Sequence, residues 1–311
     1  MLSRTAANLY WIGRYMERAE FTSRLVEATI RLNALGDHAE ADQSWRSALS
    51  VVGADQAFDA TGESVGSLNA RRHLTLSEAN PSSIRSCLSQ ARDSARAART
   101  ALTVELWEAI NRAWLTIRDR TSPGGAQATL NLVDSVKAEI RGFEGGLGRM
   151  LRSEGCWFLH LGSVIERGDS IARLLDVKYY LLLPPGQEVG GKLDRDQWMT
   201  LLQIVSARTA YRHLYGGALQ PWLVADFLIL RSEMPRSLIA SAEETVALLS
   251  SFAARSGRQG QADRLARARL DRMQDLDIEA VVQEGLHEWL HAYLRENAAI
   301  DQAIAQQFRF G

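Results

Sequence analysis

Two stretches of the sequence repeat the same order of charged residues at helical spacing. Residues three, four and seven positions apart share one face of an α-helix. The first stretch places acid, acid, arginine and acid on such a face, at Glu17, Glu20, Arg24 and Glu27. The second stretch keeps that order at Glu166, Asp169, Arg173 and Asp176. We call these two sets the charged stripes, and each predicts a helix with a polar row along it.

The stripes fit three kinds of chemistry. In the first, which we favour, they form ion pairs. Glu20 precedes Arg24 at the favourable spacing of four residues, and Arg18 and Arg167 reach across to carboxylates of the other stripe. Such pairs fix the packing register more than they add stability, because desolvation offsets much of the attraction. In the second, the stripes meet in a cleft that holds a charged ligand, a peptide terminus or a partner protein.

The third kind of chemistry is a pair of metal ions held by carboxylates inside a helical bundle. Bundles of that kind combine glutamates with a Glu-x-x-His motif. Neither stripe contains a histidine, and Arg24 and Arg173 lie on the same rows, where they would repel a cation. The sequence therefore disfavours a di-metal centre.

Acid–base catalysis is the alternative use of the carboxylates. Glu17 and Glu166 occupy equivalent positions in the two stripes and would act on an amide or amine substrate. That chemistry requires at least one of them to be desolvated and to have a raised pKa, whereas a scaffold has no such requirement. An open pocket with unpaired carboxylate oxygens would favour the enzyme, and saturation of both carboxylates by arginine would favour the scaffold.

A further candidate for chemistry is the run His287-Glu288-Trp289-Leu290-His291. On a helix, the two histidines of an H-E-x-x-H pattern bind Zn²⁺ and the glutamate acts as the base. The sequence that follows contains no histidine to complete such a site, and Glu296 and Asp301 are weak substitutes. A pattern with three fixed positions also occurs by chance. We therefore expect no metal site and no cofactor.

The charged stripes belong to a longer internal repeat. A shift of 149 residues places Gly13 on Gly162 and aligns the two Glu-Arg pairs, with five identities in the thirteen positions from 13 to 25. Further along, 81–84 (PSSI) aligns with 235–238 (PRSL) at a shift of 154. Loop insertions account for a drift of that size.

The repeat predicts a tandem duplication with halves at 1–150 and 151–311, packed together as one globular unit. Gly13 and Gly162 stand one turn before the Glu-Arg pairs. A glycine inside a helix costs up to about 1 kcal/mol relative to alanine, so we expect close backbone approach at both positions. The two stripe helices should therefore run through the middle of the halves and pack on each other.

Helical periodicity dominates the rest of the chain, and alternating strand-like runs are scarce. The sequence contains six prolines. Breaks are predicted at 121–125, at the glycines between 142 and 148, and at 183–186. The fold class is therefore all-α, a helical bundle of two similar multi-helix halves. The helices are expected at 3–35, 42–54, 81–120, 126–143, 156–183, 194–214, 235–254 and 278–307.

Composition and charge limit the classes of partner. The net charge of −1 provides no general attraction for nucleic acid or an anionic membrane. No apolar run approaches the roughly 18 residues of a spanning helix, and the first residues lack the pattern of a signal peptide. Two isolated cysteines fit a reducing compartment. We expect a cytoplasmic protein without nucleic acid or membrane partners, and assembly into a homo-oligomer stays open.

The residues around the two Glu-Arg pairs resemble a known family. GRYMERAE at 13–20 and LGSVIERGD at 161–169 are similar to the alpha-E domain family, a bacterial all-helical family named for its ER motif. The resemblance extends to WFLHLG before the second pair and to NAAIDQAIAQQFRF near the end. The second pair differs from the first in having Gly168 for Ala19 and Ser170 for Phe21, and neither change touches the charged stripe.

The resemblance implies a functional context rather than a reaction. Members of the family are found beside circularly permuted ATP-grasp ligases, transglutaminase-like proteins and NTN-type peptidases. We therefore expect a non-catalytic accessory or scaffold protein of a peptide synthesis or modification system. Its partners would be an ATP-grasp-type ligase and a transglutaminase-like protein, bound near the two stripe helices.

Overall fold

The computed structural model describes residues 1–34, 38–181, 192–216 and 219–310. Within these ranges it contains helices, turns and loops without any β-strand, which confirms the predicted all-α class. None of the helices in the described ranges combines the length and the apolar character needed to cross a bilayer. The described α-helices are α1 (Ser3–Asn33), α2 (His38–Val51), α3 (Asp55–Asp59), α4 (Ser67–Thr75), α5 (Ile84–Ala97), α6 (Val104–Ile117), α7 (Ala126–Leu147), α8 (Glu154–Leu181), α9 (Lys192–Ile204), α10 (Arg208–Tyr215), α11 (Pro221–Leu230), α12 (Leu238–Ser256), α13 (Gln261–Gln274), α14 (Ile278–Glu284) and α15 (Leu286–Gln307).

Three helices that the sequence predicts as continuous are each divided. The predicted helix at 81–120 becomes α5 and α6, and the side chain of Thr103 accepts a hydrogen bond from the Leu106 amide to begin α6. The predicted helix at 194–214 is interrupted at Ser206, and that at 278–307 is interrupted at Gly285; both residues have positive φ, 56° and 122°. Such φ values end an α-helix because they do not fit its regular dihedrals.

The predicted breaks have mixed outcomes. The break at 121–125 is confirmed, since it lies between α6 and α7. The predicted break at the glycines between 142 and 148 is wrong, because α7 continues through them as far as Leu147. There, a Cβ on Gly146 would lie 3.2 Å from Leu106 Cδ2, so the missing side chain lets α6 pack closely. The predicted break at 183–186 lies outside the described residues.

The stripe helices α1 and α8 form the centre of the fold. They pack on each other, and α1 also packs on α5 and α7, while α8 packs on α12 and α15. Apolar side chains such as Leu9, Ile12 and Leu159 are fully buried along this contact. Burial on several sides explains why α1 and α8 lack one clear apolar face. The division of the chain into two similar halves stays a prediction from the repeat.

Glycines set the distance between α1 and α8. A Cβ built on Gly13 would lie 2.1 Å from the carbonyl oxygen of Leu159, and one on Gly162 would lie 2.0 Å from that of Tyr10. The Ser163 hydroxyl donates a hydrogen bond of 3.3 Å to the Gly13 carbonyl. The two helices are therefore in backbone contact at the point immediately before the Glu-Arg pairs, as the sequence predicts.

Replacing Gly162 by alanine is expected to destabilise the protein by about 1–3 kcal/mol or more, because two rigid backbones must separate. The matched control is Gly145→Ala in α7, where an added Cβ meets nothing within 4 Å and a gain of up to about 1 kcal/mol is expected. Urea unfolding of both variants measures the two effects. Equal stability of the two variants would contradict the close approach.

Candidate functional site

Glu166 lies at the centre of a buried charge cluster between α1 and α8. Its side chain is 3% exposed, and it receives Arg18 Nε at 2.5 Å, Arg18 Nη2 at 2.8 Å and Arg14 Nε at 2.8 Å. Burial alone would raise the pKa of Glu166, but the guanidiniums of Arg18 and Arg14 outweigh it and lower that pKa to about 2. Glu166 is therefore an ionised carboxylate saturated by arginine.

Glu17 is the corresponding carboxylate on α1, and it is equally buried, with 4% of its side chain exposed. Arg167 contacts it at 3.2 and 2.9 Å, and Arg236, in the turn before α12, donates to Oε1 at 2.9 Å. Burial would raise the pKa of Glu17, but the two arginines lower it below its ordinary value. Glu17 is therefore also held in its charged form.

The two Glu-Arg pairs contact each other reciprocally. Arg18 of α1 binds Glu166 of α8, and Arg167 of α8 binds Glu17 of α1. Adjacent residues point about 100° apart on a helix, so within each pair the glutamate and the arginine have different partners. We call these four residues the ER seam. It links the two central helices by charge at the place where the glycines bring their backbones together.

The remaining residues of the charged stripes have partners outside the ER seam. Glu20 is bridged by Arg24 and Arg236, both at 2.5 Å, and Asp169 is bound by Arg173 at 2.7 Å. In contrast, Glu27 binds Lys137 of α7 and Arg31. Asp176 contacts His287 and His291 of α15. The stripes are therefore shared among several helices and do not form one continuous row of pairs.

Sequence reasoning missed two arginines that complete the cluster. Arg14 lies one turn before Arg18 on the same face, so its position was available from the helical spacing. Arg236 comes from a turn that is distant in the sequence and carries no charge pattern of its own. In the sequence alignment of 81–84 with 235–238, the residue at the position of Arg236 is Ser82. The two sides of the ER seam are therefore chemically different.

Two cavities flank the ER seam. One, of about 300 Å³, is lined on its polar side by Arg18, Ser82, Glu166, Asp169 and Arg173. We call it the serine-side cavity. On the opposite side of the seam, Arg236 binds Glu17 and Glu20. The residue aligned with Arg236 is Ser82, and Ser82 lines this cavity. Asp169 and Arg173 are partly exposed there, at 23% and 42%.

The other cavity, of about 260 Å³, is lined by Glu17, Glu144, His160, Arg167 and Glu244, among others. Glu144 is the carboxyl here whose pKa is raised, by desolvation and by the negative charges of Glu20 and Glu17. Glu17, Glu20 and Glu144 are close enough to share a cation, but the Arg236 guanidinium already bridges Glu17 and Glu20. This group is therefore occupied by a cation of the protein itself.

The H-E-x-x-H run has a third potential ligand from a helix far upstream in the sequence. His287 and His291 lie on α15 and meet the carboxylate of Asp176 on α8. The weak substitutes, in contrast, lie elsewhere. Glu296 pairs with Arg272 at 2.5 Å, and Asp301 pairs with Arg14 at 2.8 Å. A search downstream in the sequence could not find Asp176, because it lies 111 residues upstream of His287.

A family model, Alpha-E, described as "a predicted alpha-helical domain with a conserved ER motif", matches residues 1–308. The chain belongs to the Alpha-E family. Its two Glu-Arg dipeptides, at 17–18 and 166–167, are the four residues of the ER seam. In this Alpha-E chain they serve as reciprocal partners across the contact of α1 and α8.

The chain is also similar to curated proteins of mycobacteria. It is 24% identical over 328 residues to uncharacterized protein Mb2597 of Mycobacterium bovis and to uncharacterized proteins MT2643 and Rv2567 of Mycobacterium tuberculosis. In each case the match covers 96% of this chain and 36% of the relative. The chain therefore spans about a third of the length of these relatives. No solved structure matches it.

Removing the charge of Glu166 is expected to destabilise the fold strongly. In Glu166→Gln, the guanidinium of Arg18 loses its counter-charge and Arg14 keeps only Asp301; removal of one partner of a buried pair costs about 3–5 kcal/mol in comparable sites. The matched control is Glu108→Gln, which alters an exposed pair with Arg112 at 3.4 Å and should change the free energy of unfolding by less than about 1 kcal/mol. Urea unfolding at pH 7 compares them, and equal costs would refute the buried pairing.

The lowered pKa of Glu166 also predicts an acid dependence of stability. The folded pKa, about 2, lies below the ordinary glutamate value of about 4.3. The contribution of ionised Glu166 to the free energy of unfolding is therefore fully present above about pH 5 and is lost as the pH falls towards 2. The free energy of unfolding of the wild type should fall over this window more steeply than that of Glu166→Gln. Parallel pH profiles would show that Glu166 has an ordinary pKa.

Proposed function

We propose that the protein is a non-catalytic accessory or scaffold subunit of a peptide-bond synthesis or modification system, located in the cytoplasm. One observation carries the non-catalytic part: both carboxylates of the ER seam are buried, saturated by arginine and lowered in pKa. A carboxylate with a lowered pKa is a poor proton acceptor at neutral pH. The enzymatic alternative, in which Glu17 or Glu166 acts as acid or base, requires the opposite shift.

The partner class in this proposal comes from the family resemblance. It is a circularly permuted ATP-grasp-type ligase, with a transglutaminase-like protein as a further partner. Ligases of this kind join a carboxylate to an amine, so their peptide products carry charged termini and polar amides. A scaffold for such a system needs a polar surface that receives the ligase or its peptide next to a rigid core.

The serine-side cavity offers such a surface. It combines the acidic Asp169 and the basic Arg173, both partly exposed, with the hydroxyl-bearing residues Ser82 and Ser170. A peptide terminus is charged and forms several hydrogen bonds, which these groups can provide or accept. The cavity borders Arg18 and Glu166 directly, so a bound group would lie beside the ER seam.

The asymmetry of the two sides supports the choice of this cavity. On the side of Glu17, the guanidinium of Arg236 bridges Glu17 and Glu20. On the side of Glu166, Ser82 is aligned with that arginine, and the charge that balances Glu166 comes from Arg14 on α1. The charges of the seam are therefore balanced on both sides, and a cavity lies beside each. The serine-side cavity is the one lined by Ser82, Asp169 and Arg173.

Co-purification tests the partnership. The full chain and an ATP-grasp-type ligase of the class that the family resemblance implies are co-expressed, and their complex is isolated through a tag on the ligase. We expect a stable complex and a change in amide formation by the ligase when the protein is added. Absence of a complex together with unchanged ligase output would overturn the proposed function.

A single substitution tests the cavity. Ser82→Arg should place a guanidinium in the serine-side cavity and should reduce recovery of the complex by at least about tenfold, the effect of about 1.4 kcal/mol in binding. The matched control is Gln274→Arg, which adds the same group at the exposed end of α13. Thermal unfolding verifies that both variants fold. Equal recovery with both variants would place the partner elsewhere on the protein.

A further inference from the structure

Three side chains with metal-binding atoms meet where α15 lies against α8. His287 Nδ1 is 2.5 Å from one carboxylate oxygen of Asp176, and His291 Nε2 is 3.2 Å from the other. One potential ligand atom from each residue lies within 4.8 Å of the other two. We infer that Asp176, His287 and His291 form a binding site for a divalent transition-metal ion, with zinc as the best match.

The helical spacing positions the two histidines as a pair. Residues four apart lie one turn from each other on the same face, and the two imidazole rings have their centroids 4.2 Å apart. In a tetrahedral zinc site the ligand atoms are about 3.3 Å apart, given metal–ligand bonds of about 2.0–2.1 Å. Small rotamer changes would bring the three ligand atoms to this separation without any movement of the helices.

The types of ligand indicate which metal fits. Two imidazoles and one carboxylate suit zinc and neighbouring first-row ions, whereas Mg²⁺ and Ca²⁺ prefer oxygen ligands alone. Three protein ligands leave a fourth position for water in a four-coordinate site. His291 is 47% exposed, so solvent and metal can reach the site from the surface.

The glutamate of the run does not belong to this cluster, which separates the site from that of a zinc hydrolase. The carboxylate of Glu288 is folded back to the beginning of α15, where a Cβ on Gly285 would lie 2.2 Å from Glu288 Oε2. The group of potential ligands contains Asp176 and the two histidines without Glu288. The metal would therefore link α15 to α8, and Glu288 would not act as its base.

Metal titration tests this site directly. The full chain, without an affinity tag and after treatment with a chelator, is titrated with Zn²⁺ by calorimetry and with Co²⁺ by visible absorption. We expect one equivalent of each metal, the absorption of tetrahedral Co²⁺, and a rise in Tm of about 3 °C or more at saturating Zn²⁺. Absence of binding would show an ordinary Asp–His hydrogen-bonded cluster and would overturn the inference.

Four variants locate the bound metal. His291→Ala and Asp176→Asn should each weaken Zn²⁺ binding by more than about tenfold, since even loss of a residue that only supports a ligand costs about 10–100-fold. His213→Ala, an exposed histidine on α10, and Glu288→Gln should bind as the wild type does. His291 is half-exposed, so its variant should fold, and circular dichroism verifies this. Unchanged affinity in His291→Ala would refute the site.

Discussion

Backbone contact between α1 and α8 is the constraint on which the rest of the structure depends. At Gly13 and Gly162 the helices are so close that a Cβ would lie about 2 Å from a carbonyl oxygen of the opposite helix. Their next turns must therefore face each other at short range. Arg18 and Arg167 reach across this gap to Glu166 and Glu17 because no intervening side chain separates the helices at the crossing point.

The close contact also determines what the charges must do. Carboxylates buried at this depth need counter-charges and hydrogen bonds, because an unpaired buried charge is far more costly than an exposed one. Each carboxylate binds two arginines, one from the facing Glu-Arg pair and one from another position. The second arginine of Glu166 is Arg14 on α1, whereas that of Glu17 is Arg236, in the turn before α12. This difference makes the two sides of a repeated motif unequal, and Ser82 lines the serine-side cavity.

Part of this arrangement follows from local rules and was therefore predictable. The all-α class comes from periodicity, the close approach from two glycines inside helices, and the crossed partners of Arg18 and Arg167 from the 100° between adjacent residues. The contributions of Arg236 and of Asp176 beside His287 depend on tertiary contacts between segments far apart in sequence. Spacing within one helix carries no information about them.

The errors in the helix boundaries have two origins, one local and one tertiary. The side chain of Thr103 begins a new helix inside a stretch that propensity alone treats as continuous. Conversely, the glycines near the end of α7 remain helical because they allow α6 to approach, so a packing advantage outweighs their low propensity. The hydrogen bond of Thr103 is a local N-cap to a residue three positions along the chain, whereas the contact of Gly146 with α6 depends on tertiary packing.

A double-mutant cycle on Glu17 and Arg167 tests the central claim most directly. The unfolding free energies of Glu17→Gln, Arg167→Met and the double variant give the coupling energy of the pair, and Glu139→Gln with Arg112→Met gives that of a surface pair. The account predicts a coupling of about 1–3 kcal/mol across the ER seam and less than about 1 kcal/mol at the surface. Additivity at Glu17 and Arg167, within about 0.5 kcal/mol, would contradict it.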